Sequence, residues 1–218
     1  MTDAPVRDAA TIILLRDQGP SGPAVLMGQR GAGAVFMPSK YVFPGGAVEA
    51  GDGAARFARP LGAQTRAALE SRSEVAPEML AAAAIRELAE ETGQVVGRPA
   101  DAEAGTCDWP GFERLLPDAG ALRFIFRAIT PPGRPRRFDA RFFLASADAL
   151  ATDPDDFGRA EDELSHLHWV PLDRARALDM PFITEVVLAE TAAIAAGRDV
   201  PGTPFFDNSG DSSVFCRL

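Results

Sequence analysis

Apolar and β-branched residues come in short runs at residues 11–15 and 24–27, with Asp17, Gly19, Pro20, Gly22 and Pro23 between them. Runs of this length bounded by turn formers predict a pair of strands joined by a turn. A glycine-rich stretch at 31–38 follows, and then Tyr41-Val42-Phe43 predicts a strand that ends in the tight turn Pro44-Gly45-Gly46. Residues 54–73 are rich in Ala and Arg with Pro60 and Gly62 inside, which predicts one or two short helices outside the sheet. The run PEMLAAAAIRELAEET at 77–92 predicts the best helix of the chain, because Ala, Leu, Glu and Met dominate it. Pro77 suits its first turn and Gly93 suits the left-handed position past its end.

Residues 97–120 are turn-rich, with a short helix expected at 112–116. Leu122, Phe124 and Phe126 alternate with Arg123, Ile125 and Arg127, which predicts a strand over 122–128. Further strands are expected at 141–145 and 167–170. Ile183, Val186, Val187 and Ile194 fall on one stripe of a helix over 182–196 that Gly197 ends. The tail, about 198–218, is rich in Gly, Pro and Asp and is expected to wrap the surface. No internal repeat interrupts this order. Strands on both sides of a central helix, with a late second helix, predict an α/β class with a mixed sheet between helices, in a single domain over 1–218.

Composition narrows the function. At 218 residues, 46% hydrophobic and 24% charged, the chain has the make-up of one globular domain. Its 31 acidic residues against 22 basic ones give a net charge of -9, the wrong sign for gripping nucleic-acid phosphates. Cys107 and Cys216 lie far apart without CxxC spacing, so neither a zinc ribbon nor a disulfide framework is indicated, and a reducing cytoplasm is the expected compartment. The apolar stretch at 9–15 is flanked by Asp3, Asp8 and Asp17 and reads as a first strand, not a signal peptide. No apolar run approaches the roughly 18 residues of a spanning helix, so no membrane partner is expected.

The chemistry concentrates on the helix at 77–92. With about 100° per residue, Glu87, Glu90 and Glu91 share one face, while Ala81, Ile85, Leu88, Ala89 and Thr92 share the other. Arg86 lies four positions before Glu90, where a guanidinium can fix a carboxylate. Carboxylates at this spacing supply the oxygen ligands that hard divalent cations take. An acidic face with one arginine also describes an ordinary solvated surface. The string R-E-x-x-E-E-x-G at 86–93 tips the balance, since chance would place it roughly once in several thousand chains of this size.

With Gly46 upstream, the pattern resembles the signature of the Nudix hydrolases, G-x5-E-x7-R-E-U-x-E-E-x-G-U, U being a bulky aliphatic. Gly46, Arg86, Glu87, Leu88, Glu90, Glu91 and Gly93 match. Asp52 stands where the family has Glu, and Gln94 stands at the last aliphatic position. Between Asp52 and Arg86 lie 33 residues in place of 7, an insertion placed at about 53–78. Such an insert, with Ile129-Thr130-Pro131-Pro132 and Arg141-Phe142-Phe143 downstream, is similar to the subgroup of peroxisomal coenzyme A diphosphatases and their bacterial relatives. The insert reads as a helical flap beside the site, with a substrate-selecting lid as the alternative.

The resemblance implies a Nudix-type α/β/α sandwich with a mixed sheet and an inserted helical segment. It implies Mg²⁺ or Mn²⁺ held by Glu87, Glu90, Glu91 and the Gly46 carbonyl, with Arg86 orienting the carboxylates. Glu87, or an acidic residue among Glu161, Asp162 and Glu163, would take a proton from water, and Glu163 is the loop candidate chosen. Arg30, Arg134 and Arg137 are the candidates for a phosphate of the substrate, the last two from the basic run that also holds Arg136. His166 and His168 read as structural. The substrate implied is a small nucleotide derivative, coenzyme A or acyl-coenzyme A, with ADP-ribose or another nucleoside diphosphate derivative as the alternative. A ligand sensor without turnover is the reading from another class, and a homodimer is an assembly the sequence allows.

Overall fold

The computed structural model describes residues 4–34, 37–100, 107–198, 200–210 and 212–218. In chain order the elements are β1 (Val6–Asp17), β2 (Pro23–Arg30), β3 (Tyr41–Val42), β4 (Gly45–Ala47), α1 (Ala63–Glu70) and α2 (Pro77–Thr92). They continue with β5 (Gly97–Pro99), β6 (Leu115–Pro117), β7 (Arg123–Ile129), β8 (Arg137–Ser146), β9 (Leu164–Pro171), α3 (Phe182–Ala195), β10 (Pro204–Asp207) and β11 (Val214–Arg217). Nine strands form one sheet in the order β11-β10-β7-β8-β1-β2-β3, with β4 paired to β1 and β9 to β2. The sheet is mixed: β1 runs parallel to β8 and β10 parallel to β7, while the other pairs are antiparallel.

β1 shows why its apolar run does not alternate with polar residues. Ala10, Ile12 and Leu14 point to a core shared with Leu80, Ala84, Ile85 and Leu88 of α2, and Leu69 of α1 joins them. Ile13 points the other way, into a second core with Val25, Met27, Phe142 and the Val187 and Leu188 side chains of α3. A strand covered on both faces is apolar throughout. The result is the expected sandwich, with α1 and α2 on one face of the sheet and α3 on the other. Four consecutive alanines, Ala81 to Ala84, are fully buried and let α2 lie close to the strands. Its ends follow the sequence reading, with Pro77 in the first turn and Gly93 at φ 72° donating its N–H to Ala89 O.

Two expectations are corrected. Residues 112–116 are not a helix: Phe112 is sunk in the core against Trp109, and Leu115 starts β6, which pairs with β5. The tail does not merely wrap the surface. Its Phe205 is buried beside Arg127 as β10 joins β7, and β11 forms the edge. The stretch 54–73 holds one short α-helix outside the sheet, α1, in keeping with its composition, preceded by a 3-10 turn at Ala50–Ala54. Asp3 and parts of the 31–38 and 97–120 readings lie outside the described residues. Among the described residues no helix is long and apolar enough to cross a membrane.

Candidate active site

The site is assembled where α2 crosses β4. Register pairs Ala10 with Gly46 and Thr11 with Gly45, which sets the double glycine at the middle of the sheet. The Gly45 N–H donates to Glu91 Oε2 at 2.8 Å. A Cβ built on Gly46 would lie 2.3 Å from Glu87 Oε1, so only glycine lets that carboxylate rest on the strand. The motif's glycine and its first helix carboxylate are thus in direct contact.

Arg86 is buried and heavily committed. Its Nε donates to Asp52 Oδ1 at 2.9 Å and its Nη2 to Asp52 Oδ2 at 3.2 Å, the fork geometry that fixes a carboxylate and a guanidinium together. Nη1 donates to Glu87 Oε1 at 2.9 Å and to Glu90 Oε2 at 3.0 Å, and Nη2 also reaches Ala47 O at 3.2 Å. Burial pulls its pKa down, but the bonds to Asp52 and Glu87 and their charges outweigh this and hold it above the usual value. Arg86 therefore orients carboxylates and stays charged; it is a positioning residue. Asp52, a methylene shorter than the family's Glu, reaches it because the 3-10 turn carries it inward, where it also accepts from Glu49 N–H at 2.7 Å.

The carboxylates carry more negative charge than Arg86 neutralises. Burial raises the Glu87 carboxyl to about 7; Arg86 opposes this, and Glu90 and Glu163 add to it. Burial raises Glu91 further, to about 8, against the Gly45 N–H and with the charges of Glu87 and Glu163 adding to it. Glu90 is raised by burial and by Glu161 and Glu49, with Arg86 opposing. Among the described residues no three acidic, His or Cys side chains already stand together as a ligand set. Glu87 and Glu90 turn to Arg86, and Glu91 turns to Gly45. The donors nonetheless fit a hard divalent cation: they are carboxylate oxygens, two of them on carboxyls that burial, with neighbouring negative charge, raises to about 7 and 8.

Other candidates separate into two groups. Arg30 Nη2 meets Glu163 Oε1 at 2.9 Å, and both act on the Glu91 carboxyl, so this pair borders the cluster. Glu161 N–H donates to Glu90 O at 2.9 Å and ties the acidic loop to α2. Arg137, by contrast, is turned inward by strand alternation and donates from Nε to Thr130 O at 3.1 Å and from Nη2 to Asn208 O at 3.4 Å. It braces the β7–β8 turn and the tail, and register places it beside Val6, not beside Ala10 where Gly46 sits. Arg134 is exposed in the same turn. The structure does not bring these two to the carboxylates. Both histidines are exposed, His168 standing edge-on to Tyr41, and both cysteines are free. Sequence reasoning missed Asp52 as the main partner of Arg86 and the Gly45 N–H as the donor to Glu91; the only signals were the acidic residue after the double glycine and the second glycine itself.

A mixed sheet between helical layers, with the R-E-x-x-E-E-x-G helix seated on a double-glycine strand, is the class of protein that the motif implied. No family model matches the chain. A solved Nudix hydrolase from Alicyclobacillus acidocaldarius is similar at 31% identity, covering 88% of this chain and 92% of that one, with a TM-score of 0.64. The chain belongs to the Nudix hydrolase family. The MutT protein from Methanosarcina mazei Go1 shares the fold, with a TM-score of 0.50 at 13% identity over 91% of this chain and 100% of that one. An acyl-coenzyme A diphosphatase from Gallus gallus is 27% identical over an alignment that covers 75% of this chain. The chain spans 60% of that protein's length.

Proposed function

We propose that this chain is a divalent-metal-dependent diphosphatase acting on coenzyme A or acyl-coenzyme A. The observation that carries the reading is the seating of Glu87 and Glu91 on the Gly45-Gly46 strand with their carboxyls raised to about 7 and 8. Glu87, Glu90, Glu91 and the Gly46 carbonyl are the groups that would hold Mg²⁺ or Mn²⁺. A cation bound there would offset charge on the diphosphate and lower the pKa of an attacking water. Asp52 holds Arg86, and Arg86 holds Glu87 and Glu90, so the carboxylates are pre-aimed.

Glu163 stands at the border of the cluster as the group to take a proton from water, with Glu87 as its rival. Arg30 spends one nitrogen on Glu163, and its planar fork would offer another to a phosphate oxygen. The choice of coenzyme A rests on the Gallus gallus relative and on the insert within the motif. All three helix carboxylates are present, which favours turnover over a silent ligand sensor.

The test is a screen of coenzyme A, acetyl-coenzyme A, ADP-ribose, NADH and dinucleoside polyphosphates with Mg²⁺, Mn²⁺ or EDTA, products being identified by mass. The expected result is 3′,5′-ADP and a phosphopantetheine product, with metal only. Cleavage of ADP-ribose in preference to coenzyme A would move the substrate to that class. Binding without cleavage of any compound would make the chain a sensor.

A further inference from the structure

The motif departs from its usual form at Gln94, directly after the glycine that ends α2. Its side chain is fully buried, and each of its polar atoms is used. Nε2 donates to Asp153 O at 3.1 Å and to Asp156 O at 2.7 Å, and Oε1 accepts from Thr152 Oγ1 at 2.8 Å. All three bonds go to one stretch of chain, the loop that follows β8. Neighbouring positions reach the same loop: Val95 N–H donates to Thr152 Oγ1 at 3.2 Å, and Ala151 N–H donates to Val95 O at 2.8 Å. At Gly93 the loop passes so close that a Cβ would lie 3.0 Å from Arg159 Cβ and 3.2 Å from Ala160 N.

Farther along, Glu161 N–H donates to Glu90 O at 2.9 Å, and Glu163 then meets Arg30 at 2.9 Å before β9 begins. The far end is seated too, since a Cβ on Gly28 would lie 2.9 Å from Leu164 Cβ, and the β2–β9 register shifts there between Met27 and Gln29. Residues 151–163 are thus laid along the C-terminal end of α2, with the acidic residue at their end delivered to the carboxylate cluster.

We infer that Gln94 is a positioning residue whose amide sets this loop so that Glu163 stands beside Glu87 and Glu91, an inference that rests on the function proposed above. An aliphatic side chain at 94 could fill the space, but it would take a donor from the Asp153 and Asp156 carbonyls and the acceptor from the Thr152 hydroxyl, cutting three of the bonds that tie the loop to the end of α2. Gln94→Met separates volume from hydrogen bonding, because it keeps the size and removes both donors.

In the metal-free protein this variant should speed amide exchange of 151–163 by about tenfold or more while 77–93 stay protected. With saturating Mg²⁺ its kcat should fall about tenfold with KM within about twofold, and in a Glu163→Gln background the same change should cost less than about twofold. Equal losses in both backgrounds, or unchanged exchange in the loop, would overturn the inference. If the wild-type chain cleaves no diphosphate, the proposed function fails and amide exchange alone decides the placement. Should Gln94→Met not fold, Thr152→Val removes one partner from the loop side and is read in the same way.

Discussion

Glu91 holds the sharpest conflict between charge and burial in this molecule. A helical wheel aligns it correctly with Glu87 and Glu90, yet it predicts an acidic face open to water, and Glu91 is only 3% exposed. Spacing tells which residues share a face; what packs against that face depends on β4, which pairs with a strand far upstream. The same limit hid Asp52, since periodicity showed Arg86 its neighbour Glu90 but not a partner across the inserted chain. The buried glutamate also sets a pH dependence. Its folded carboxyl sits at about 8 against 4.5 for a free glutamate, so the folded state holds the proton more tightly. That contribution is complete below about 4.5 and is lost as pH rises toward 8. In EDTA, Glu91→Gln should therefore gain stability over the wild type, and the gap in urea midpoint should widen from pH 5 to pH 8. Mn²⁺ should close the gap at pH 8 by binding the folded wild type. In turnover Glu91→Gln should lose about 100-fold or more, as expected for a missing ligand charge. A gap that does not change with pH would mean that the carboxyl is not held protonated by its surroundings.

Among the elements, those that declare themselves by composition and local caps were legible, and those that depend on distant pairing were not. α2 and α3 fall within a residue of the sequence reading. β6 and β10 were missed because they are 3 and 4 residues long and exist only through their partners, β5 for the first and β7 and β11 for the second. β4 is as short, but its double glycine marked it as a turn, and the two glycines answer to different constraints. A Cβ on Gly46 meets the mobile end of Glu87, whereas one on Gly45 meets Ala10 O at 2.5 Å and Thr11 Cα at 2.6 Å, which are backbone. Gly46→Ala should therefore fold with a near-normal melting temperature but displace Glu87 and lower kcat. Gly45→Ala should destabilise the fold by about 1–3 kcal/mol, as overpacking does. Thermal melts and kinetics on the two variants check the contrast, and equal destabilisation would refute it.

At the scale of the whole molecule, the inserted segment is anchored in the fold at several points. Leu61 and Leu69 are buried in the core under α2, and Arg59 forks onto the buried Asp118 at 2.8 and 2.6 Å. Its far end is gripped from the sheet, where Arg127 donates to Arg72 O at 2.9 Å and Arg141 donates to Ser73 Oγ at 2.9 Å. The sequence marked Arg127 as the polar side of an alternating strand, but its partners lie in the insert and on Asp139, which no local pattern reveals. An insert anchored this way should melt with the rest of the chain. Leu69→Ala should cost about 2–5 kcal/mol, the range for a buried leucine. Urea curves followed by circular dichroism and by the fluorescence of Trp109 and Trp169 should shift together; a separate early transition would mean that the insert unfolds by itself.

The parallel pairing of β1 with β8 also has a consequence for how the chain is made. Ala10 lies beside Arg141 and Leu15 beside Ser146, so the central strand emerges from the ribosome long before its parallel neighbour exists. At 5–20 residues per second the delay is roughly 10 s. Throughout it the edge of β1 that faces β8 has no partner, while β2 and β4 can pair along its other edge. The segment that anchors the finished sheet is therefore exposed to wrong partners during synthesis, and completion of the sheet waits on a strand translated long after it.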